Sequence, residues 1–98
     1  VMCGDKKGLL TYCLGNVSIP ANKFLKENSD YHFFMDVSRR GRSSLRANNE
    51  INVAKLASKI GNGGGHPNAA GLSFDDWKET IEYSKVKQFV QDKLNSLS

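Results

Sequence analysis

Ninety-eight residues are enough for one compact domain and no more. A hydrophobic content of 39% with 24% charged residues excludes a disordered chain, and no apolar run approaches the roughly 20 residues that cross a bilayer. The formal net charge is +4, and its placement bears on function more than its size does.

The chain opens at Val1 inside what reads as folded sequence, with no charged and apolar leader, so a further piece upstream is expected. Cys3 and Cys13 form no CxxC pair and sit among strand-like residues. They read as reduced, partly buried thiols of a cytoplasmic protein. Leu9 to Leu14 is apolar and branched enough for a strand, with Gly15-Asn16 as the turn after it. Ser18-Ile19-Pro20 reads as a helix start, a hydroxyl cap followed by an early proline, with Phe24 and Leu25 on one face. Tyr31 to Val37 is a second strand, Ser38 to Arg42 a turn broken by Gly41, and Ser43 to Ala47 a third strand closing a hairpin.

Asn52 to Ile60 is the clearest helix. Asn52 can cap it, Val53, Leu56, Ala57 and Ile60 recur at helical spacing, and Gly61 stands where a left-handed C-cap is wanted. Leu72 to Phe74 suits a short strand. Asp76 with Glu79 three residues on resembles a capping box opening a further helix. Val86, Phe89, Val90, Leu94 and Leu97 form the apolar face of the last helix, with a slip in spacing near Tyr83-Ser84 that allows two helices there. The alternation of strands and helices predicts an α/β fold, a small mixed sheet flanked by helices in a single domain over 1–98.

Charge concentrates in the middle of the chain. Residues 1–36 hold four lysines against four acids, and residues 75–98 hold four lysines against five acids. Residues 37–74 hold six cations against Glu50 alone, and all four arginines fall between Arg39 and Arg46. Arginine suits bidentate phosphate contact because its donor fork is planar and permanently charged. The middle third is therefore expected to meet an anionic ligand, with Arg39, Arg40 and Arg42 in a solvated turn that adds to the field.

Within that third, residues 61–71 read Gly-Asn-Gly-Gly-Gly-His-Pro-Asn-Ala-Ala-Gly and hold five of the nine glycines. Consecutive glycines weaken any regular element, so their use lies in unusual backbone conformations or in letting a ligand approach the main chain. Exposed N–H groups on such a loop make a concave anion site, and Pro67 can start a helical turn through Ala70 that aims more of them at the same point. A flexible linker is the other reading of a glycine run, but the proline, alanines and preceding amphipathic helix argue against it. His66 at the rim can donate to a phosphate oxygen. No G-x-x-x-x-G-K-[ST] or G-x-G-x-x-G phosphate loop is present.

Gly63-Gly64-Gly65-His66-Pro67-Asn68-Ala69-Ala70-Gly71 resembles the GGGH-x-x-AAG signature of the DHH-associated C-terminal domain, found in DHH phosphoesterases. These include nanoRNases, phosphoadenosine-phosphate phosphatases and cyclic-dinucleotide phosphodiesterases. Ser44-Leu45-Arg46 matches the family's strand, and residues 51–57 match the helix before the glycines. Asn62 departs from the fourth glycine of many members, and asparagine tolerates a left-handed conformation. A related domain ends alanyl-tRNA synthetases, commonly with arginine in place of the histidine, so His66 points to the phosphoesterase branch.

The resemblance implies an N-terminal catalytic domain, absent from this chain, whose Asp and His cluster binds manganese. It implies that Arg46, Gly63, Gly64, Gly65, His66 and Asn68 bind substrate, a nucleotide or short oligonucleotide held jointly with that missing domain. With His32 and His66 as its only histidines, and no acid between residues 51 and 74, this chain is not expected to assemble a two-metal site. It is expected to be inactive alone, with no cofactor of its own and no membrane partner. The alternatives are a stand-alone RNA- or tRNA-binding module and the substrate domain of a polyphosphate hydrolase. Arg46 could instead be a structural partner of Glu50, His32 reads as a structural residue, and Trp77 reads as core.

Overall fold

The computed structural model describes residues 1–97. In chain order the elements are β1 (Met2–Cys3), β2 (Lys6–Tyr12), α1 (Ser18–Glu27), β3 (Phe33–Val37), β4 (Arg42–Ala47), α2 (Val53–Ile60), β5 (Asn62–His66), β6 (Ala69–Ser73) and α3 (Tyr83–Asn95). All six strands form one sheet in the order β1-β2-β3-β4-β6-β5. It is mixed, because β2 and β3 run parallel across the α1 crossover while the other pairs are antiparallel. The expected α/β domain is what the chain forms.

Side chains of a strand alternate between faces, and register carries each face across the sheet. On one face Leu10, Phe33, Met35, Val37, Leu45, Ala47, Ala70 and Leu72 pack against α2 and α3. On the other, Phe34 packs with Val17, Ala21 and Leu25 of the α1 segment. β3 is buried at every position because helices cover both of its faces. α1 also touches β4, whose outward Ser44 and Arg46 are half-buried, and the outer face opens toward Arg42 and across β6 to the exposed edge strand β5. That asymmetry positions the candidate site.

Local signals place α2 well. Asn52 Oδ1 accepts from Lys55 N at 3.1 Å, and Val53, Leu56, Ala57 and Ile60 are its buried residues. The Trp77 ring packs beside the core, stacked on Phe74 and edge-on to Phe89. His32 is structural, its Nδ1 accepting from the backbone N–H of Lys7 at 3.3 Å.

Other local expectations need correction. Gly61 is extended (φ −164°, ψ −168°) rather than left-handed. What restricts a side chain there is crowding, since a Cβ would lie 2.9 Å from the Ser73 carbonyl oxygen. The residues around Asp76 form no helix, and α3 starts at Tyr83. Asp76 instead meets Lys93 Nζ at 2.7 Å, a bond that holds its carboxyl below the ordinary range. Cys13 is exposed at a positive φ of 60°, while Cys3 is half-buried and both thiols are free. α1 has Val17 at its N-cap position, and the hydroxyl cap expected of Ser18 falls on a side chain outside the described residues. β1 lies beyond the expected elements; Gln91 on α3 holds it, accepting from Met2 N and donating to Met2 O, each at 2.8 Å.

Candidate functional site: an open sheet face

The glycine segment is not a loop. Residues 62–66 form the edge strand β5, which turns through Pro67-Asn68 and returns as β6. Pro67 therefore opens no helical turn, and the N–H groups do not converge into a concave nest. Two-residue hairpins usually need positive φ at their central residues. Here the positive φ, +142°, falls instead on Gly65. A Cβ at Gly65 would lie 2.7 Å from the Ala69 carbonyl oxygen, and one at Gly63 would lie 2.2 Å from that of Gly71. Both glycines are thus required for β5 to close against β6.

The hairpin tip is tied down from two sides. The Pro67 carbonyl accepts from Val53 N at 2.9 Å, and the Asn68 carbonyl accepts from Ala47 N at 3.0 Å. The Asn68 side chain reaches Asn49 Oδ1 at 3.4 Å, within the tip region. At the other end of β5, Asn62 Nδ2 donates to Asp75 Oδ1 at 2.6 Å. Asn62 is extended rather than left-handed, so its amide is a strand anchor.

Register then assembles the open face. Arg46 pairs with Ala69, which pairs with His66; Ser44 pairs with Gly71, which pairs with Gly64; Arg42 pairs with Ser73, which pairs with Asn62. Directly paired residues point to the same side, so these nine residues form a grid of three rows on α1's side of the sheet, half-buried at Ser44 and Arg46 and fully exposed along β5. At about 4.8 Å per strand, Arg46 and His66 stand about 10 Å apart across Ala69.

The middle row is low. A Cβ at Gly64 would meet nothing within 4 Å, and one at Gly71 would make only an ordinary contact with the Ser43 carbonyl. The fold therefore does not require glycine at 64, in contrast to 63 and 65. The arginines above this floor form no ion pair among the described residues. Arg46 Nη1 donates to the Leu45 carbonyl at 2.9 Å, while Glu50, its suggested partner, pairs with Lys6 at 3.5 Å. Arg39 meets Glu79 at 3.5 Å. Among the described residues neither Arg42 nor Arg46 has a carboxyl partner.

One wall of the site escaped sequence reading. Asp36 lies on the same face, one strand inward from Ser44, and is nearly buried. Its carboxyl accepts from Thr11 Oγ1 at 2.6 Å, Leu14 N at 3.0 Å and Gly15 N at 3.2 Å. It thereby fixes the turn that leads into α1. A lone acid at the end of an apolar strand is the signal that could have revealed it.

A cavity of about 490 Å³ lies by Trp77 and Phe89, away from the grid, and one of about 300 Å³ lies at the hairpin tip, lined by Pro67 and Asn68 with residues 49–52; none of the nine grid residues lines either. Among the described residues no group of three or more His, Cys, Asp or Glu could hold a metal ion. No helix among them is long and apolar enough to cross a membrane.

Comparison with known proteins follows the same lines. The chain is 42% identical over 92 residues to a Helicobacter pylori protein named 3′,5′-cyclic-nucleotide phosphodiesterase, covering 94% of this chain and 26% of that protein. The crystal structure of a protein from Helicobacter pylori G27 superposes with a TM-score of 0.93 at 41% identity, over 97% of this chain and 27% of that one. RecJ from Thermus thermophilus, solved with Mg2+, shares the fold at a TM-score of 0.59 and 17% identity, over 99% of this chain and 15% of its own. The chain thus spans about a quarter of the length of the two Helicobacter proteins. Residues 13–96 match the DHHA1 domain, and the chain belongs to that family.

Proposed function

We propose that this domain holds a phosphate of a nucleotide or short oligonucleotide on its open face, for hydrolysis by the catalytic part of a manganese-dependent DHH phosphoesterase. The observation that carries the reading is the row Arg46–Ala69–His66, half-buried at Arg46 and open at His66, with no carboxyl group paired to Arg46 among the described residues. The guanidinium supplies a planar pair of donors, and the imidazole supplies a ring N–H from the opposite side of the row. Gly64 leaves room for a ligand to lie against the strand. Gly63 and Gly65 act by letting β5 close on β6, and Asn68 acts by holding the hairpin tip that carries His66. The name of the Helicobacter pylori relative, a cyclic-nucleotide phosphodiesterase, supports a nucleotide phosphodiester as the ligand class.

The described residues of this chain do not fit a manganese site. In this proposal the metal belongs to the remainder of a longer protein, and the present domain binds and orients. Incubated with Mn2+ and a dinucleotide, the 98-residue chain is expected to release no mononucleotide. Metal-dependent cleavage by this chain would end the proposed division of labour.

Binding is tested by titrating adenosine monophosphate while following amide shifts. Saturable shifts are expected at Arg46, Gly64, His66 and Gly71. A hydrogen bond to a charged group contributes about 1.5–3 kcal/mol, so Arg46→Gln and His66→Ala should each weaken binding by about 10- to 100-fold. Folded variants that bind the nucleotide as well as the unmodified chain would sink the reading.

A further inference from the structure

The open face carries a second arginine that the phosphate row does not use. Arg42, Ser44 and Arg46 are the outward residues of β4, between the buried Ser43, Leu45 and Ala47. Four residues of strand at about 3.4 Å each separate Arg42 from Arg46 by about 13 Å. Arg42 lies two rows from the Arg46–His66 row, so a phosphate seated in that row leaves Arg42 free for a second phosphate further along one extended chain. The side chain between them on β4 is Ser44, which is small and can donate.

The backbone at Arg42 is fixed by its surroundings, while its side chain is exposed. Gly41 has a positive φ of +83°, and the Trp77 ring lies over it so closely that a Cβ would sit 2.4 Å from Cγ. Trp77 Nε1 donates to the Arg39 carbonyl at 2.7 Å, and Arg42 N donates to Ser38 Oγ at 3.1 Å. The expectation of a solvated arginine turn therefore divides. Arg39 is paired with Glu79, Arg40 belongs to the turn, and Arg42 belongs to the strand and its open face. Beside Arg42's row, the carboxyl of Asp75 is engaged by Asn62 Nδ2.

We infer that Arg42 is a second phosphate subsite, so that the face reads two non-adjacent phosphates of one extended chain laid along β4. The inference rests on the phosphate reading of Arg46 and His66. It predicts a ligand longer than a mononucleotide and assigns its path, from the Arg46–His66 row across Ser44 to Arg42. A nucleotide chain and a polyphosphate chain share this chemistry, and the test distinguishes them.

The experiment compares adenosine monophosphate, a 5′-phosphorylated tetra-adenylate and a long-chain polyphosphate, each titrated into the chain and into Arg42→Gln, Arg46→Gln and Arg40→Gln variants. Arg42→Gln should leave mononucleotide affinity unchanged and weaken the tetra-adenylate about tenfold. It should also lower the salt slope of tetra-adenylate binding by about 0.7, the contribution of one neutralised phosphate on a single strand. Arg40→Gln, which removes the same charge from the turn, should do neither. If Arg46→Gln weakens every ligand while Arg42→Gln and Arg40→Gln behave alike, the second subsite is wrong and the phosphate row stands. If Arg46→Gln also changes nothing, or if no ligand produces saturable shifts, both readings fall. A length-dependent loss in Arg42→Gln supports the subsite, and its appearance with tetra-adenylate or with polyphosphate assigns the chain.

Discussion

Replacing Gly63 with alanine is expected to lower the melting temperature by about 10 °C or more, while the bulkier Gly64→Val, one residue on, leaves the chain as stable and removes its ligand affinity. The difference follows from what each new side chain meets. At position 63 a Cβ would sit 2.2 Å from the Gly71 carbonyl oxygen and 2.5 Å from Leu72 Cβ, and backbone cannot swing aside as a flexible side chain can. β5 must then part from β6, which costs ladder hydrogen bonds along with the overpacking penalty of about 1–3 kcal/mol. In a domain this small each 1 kcal/mol lowers the melting temperature by about 4–8 °C, so a fall of about 10 °C or more is expected. At position 64 a Cβ meets nothing within 4 Å and the backbone has no positive φ. Losing glycine there reduces unfolded-state entropy, worth about 0.4–1 kcal/mol in favour of folding. A valine at 64 nevertheless stands on the floor beside the Arg46–His66 row, where it obstructs a ligand. Thermal melts and nucleotide titrations of the two variants decide the matter. Equal destabilisation by both, or full affinity in a folded Gly64→Val, would remove the argument that glycine 64 serves a ligand.

The second large effect is expected at Asp36. Its carboxyl group collects three donors and sits within the fold, at 5% exposure. Asp36→Ala deletes all three hydrogen bonds at a net loss of about 1 kcal/mol each, and donors stranded away from water add about 1–3 kcal/mol. A total of about 4–6 kcal/mol is expected, read as a lower urea midpoint with an unchanged slope. Asp36→Asn should fall between. Its remaining carbonyl oxygen can still accept from Thr11 and Leu14, while its amide N–H2 confronts the Gly15 N–H. An Asp36→Ala midpoint equal to that of the unmodified chain would show that the turn at residues 13–15 holds without it.

Because that turn carries Cys13 at φ 60° and Gly15 at φ 95°, its conformation depends on the Asp36 anchor more than on local preference. The expected consequence is loss of the entry into α1, and with it the wall beside the open face.

The sequence by itself determined what local chemistry can determine. The α2 helix was legible because period, cap and burial all lie within nine consecutive residues, Asn52 to Ile60. The aromatic strand ending at Val37 was legible because its branched and aromatic side chains suit a pleat and little else. The glycine signature, with Ser44-Leu45-Arg46 before it, marked the family. Tertiary structure alone decided the rest. Four glycine-rich residues before His66 have the weakest intrinsic strand preference available, so β5 exists only because β6 supplies its hydrogen bonds. Asp76 and Glu79 satisfy a local capping pattern, yet the pull of Lys93 and the packing of Trp77 on Gly41 outweigh it. The site itself is a matter of register. Arg46 and His66 are twenty residues apart in sequence and share a row only because both pair with Ala69. Arg42 joins that face because β4 register points it outward with Ser44 and Arg46, at an exposed position that no local pattern records.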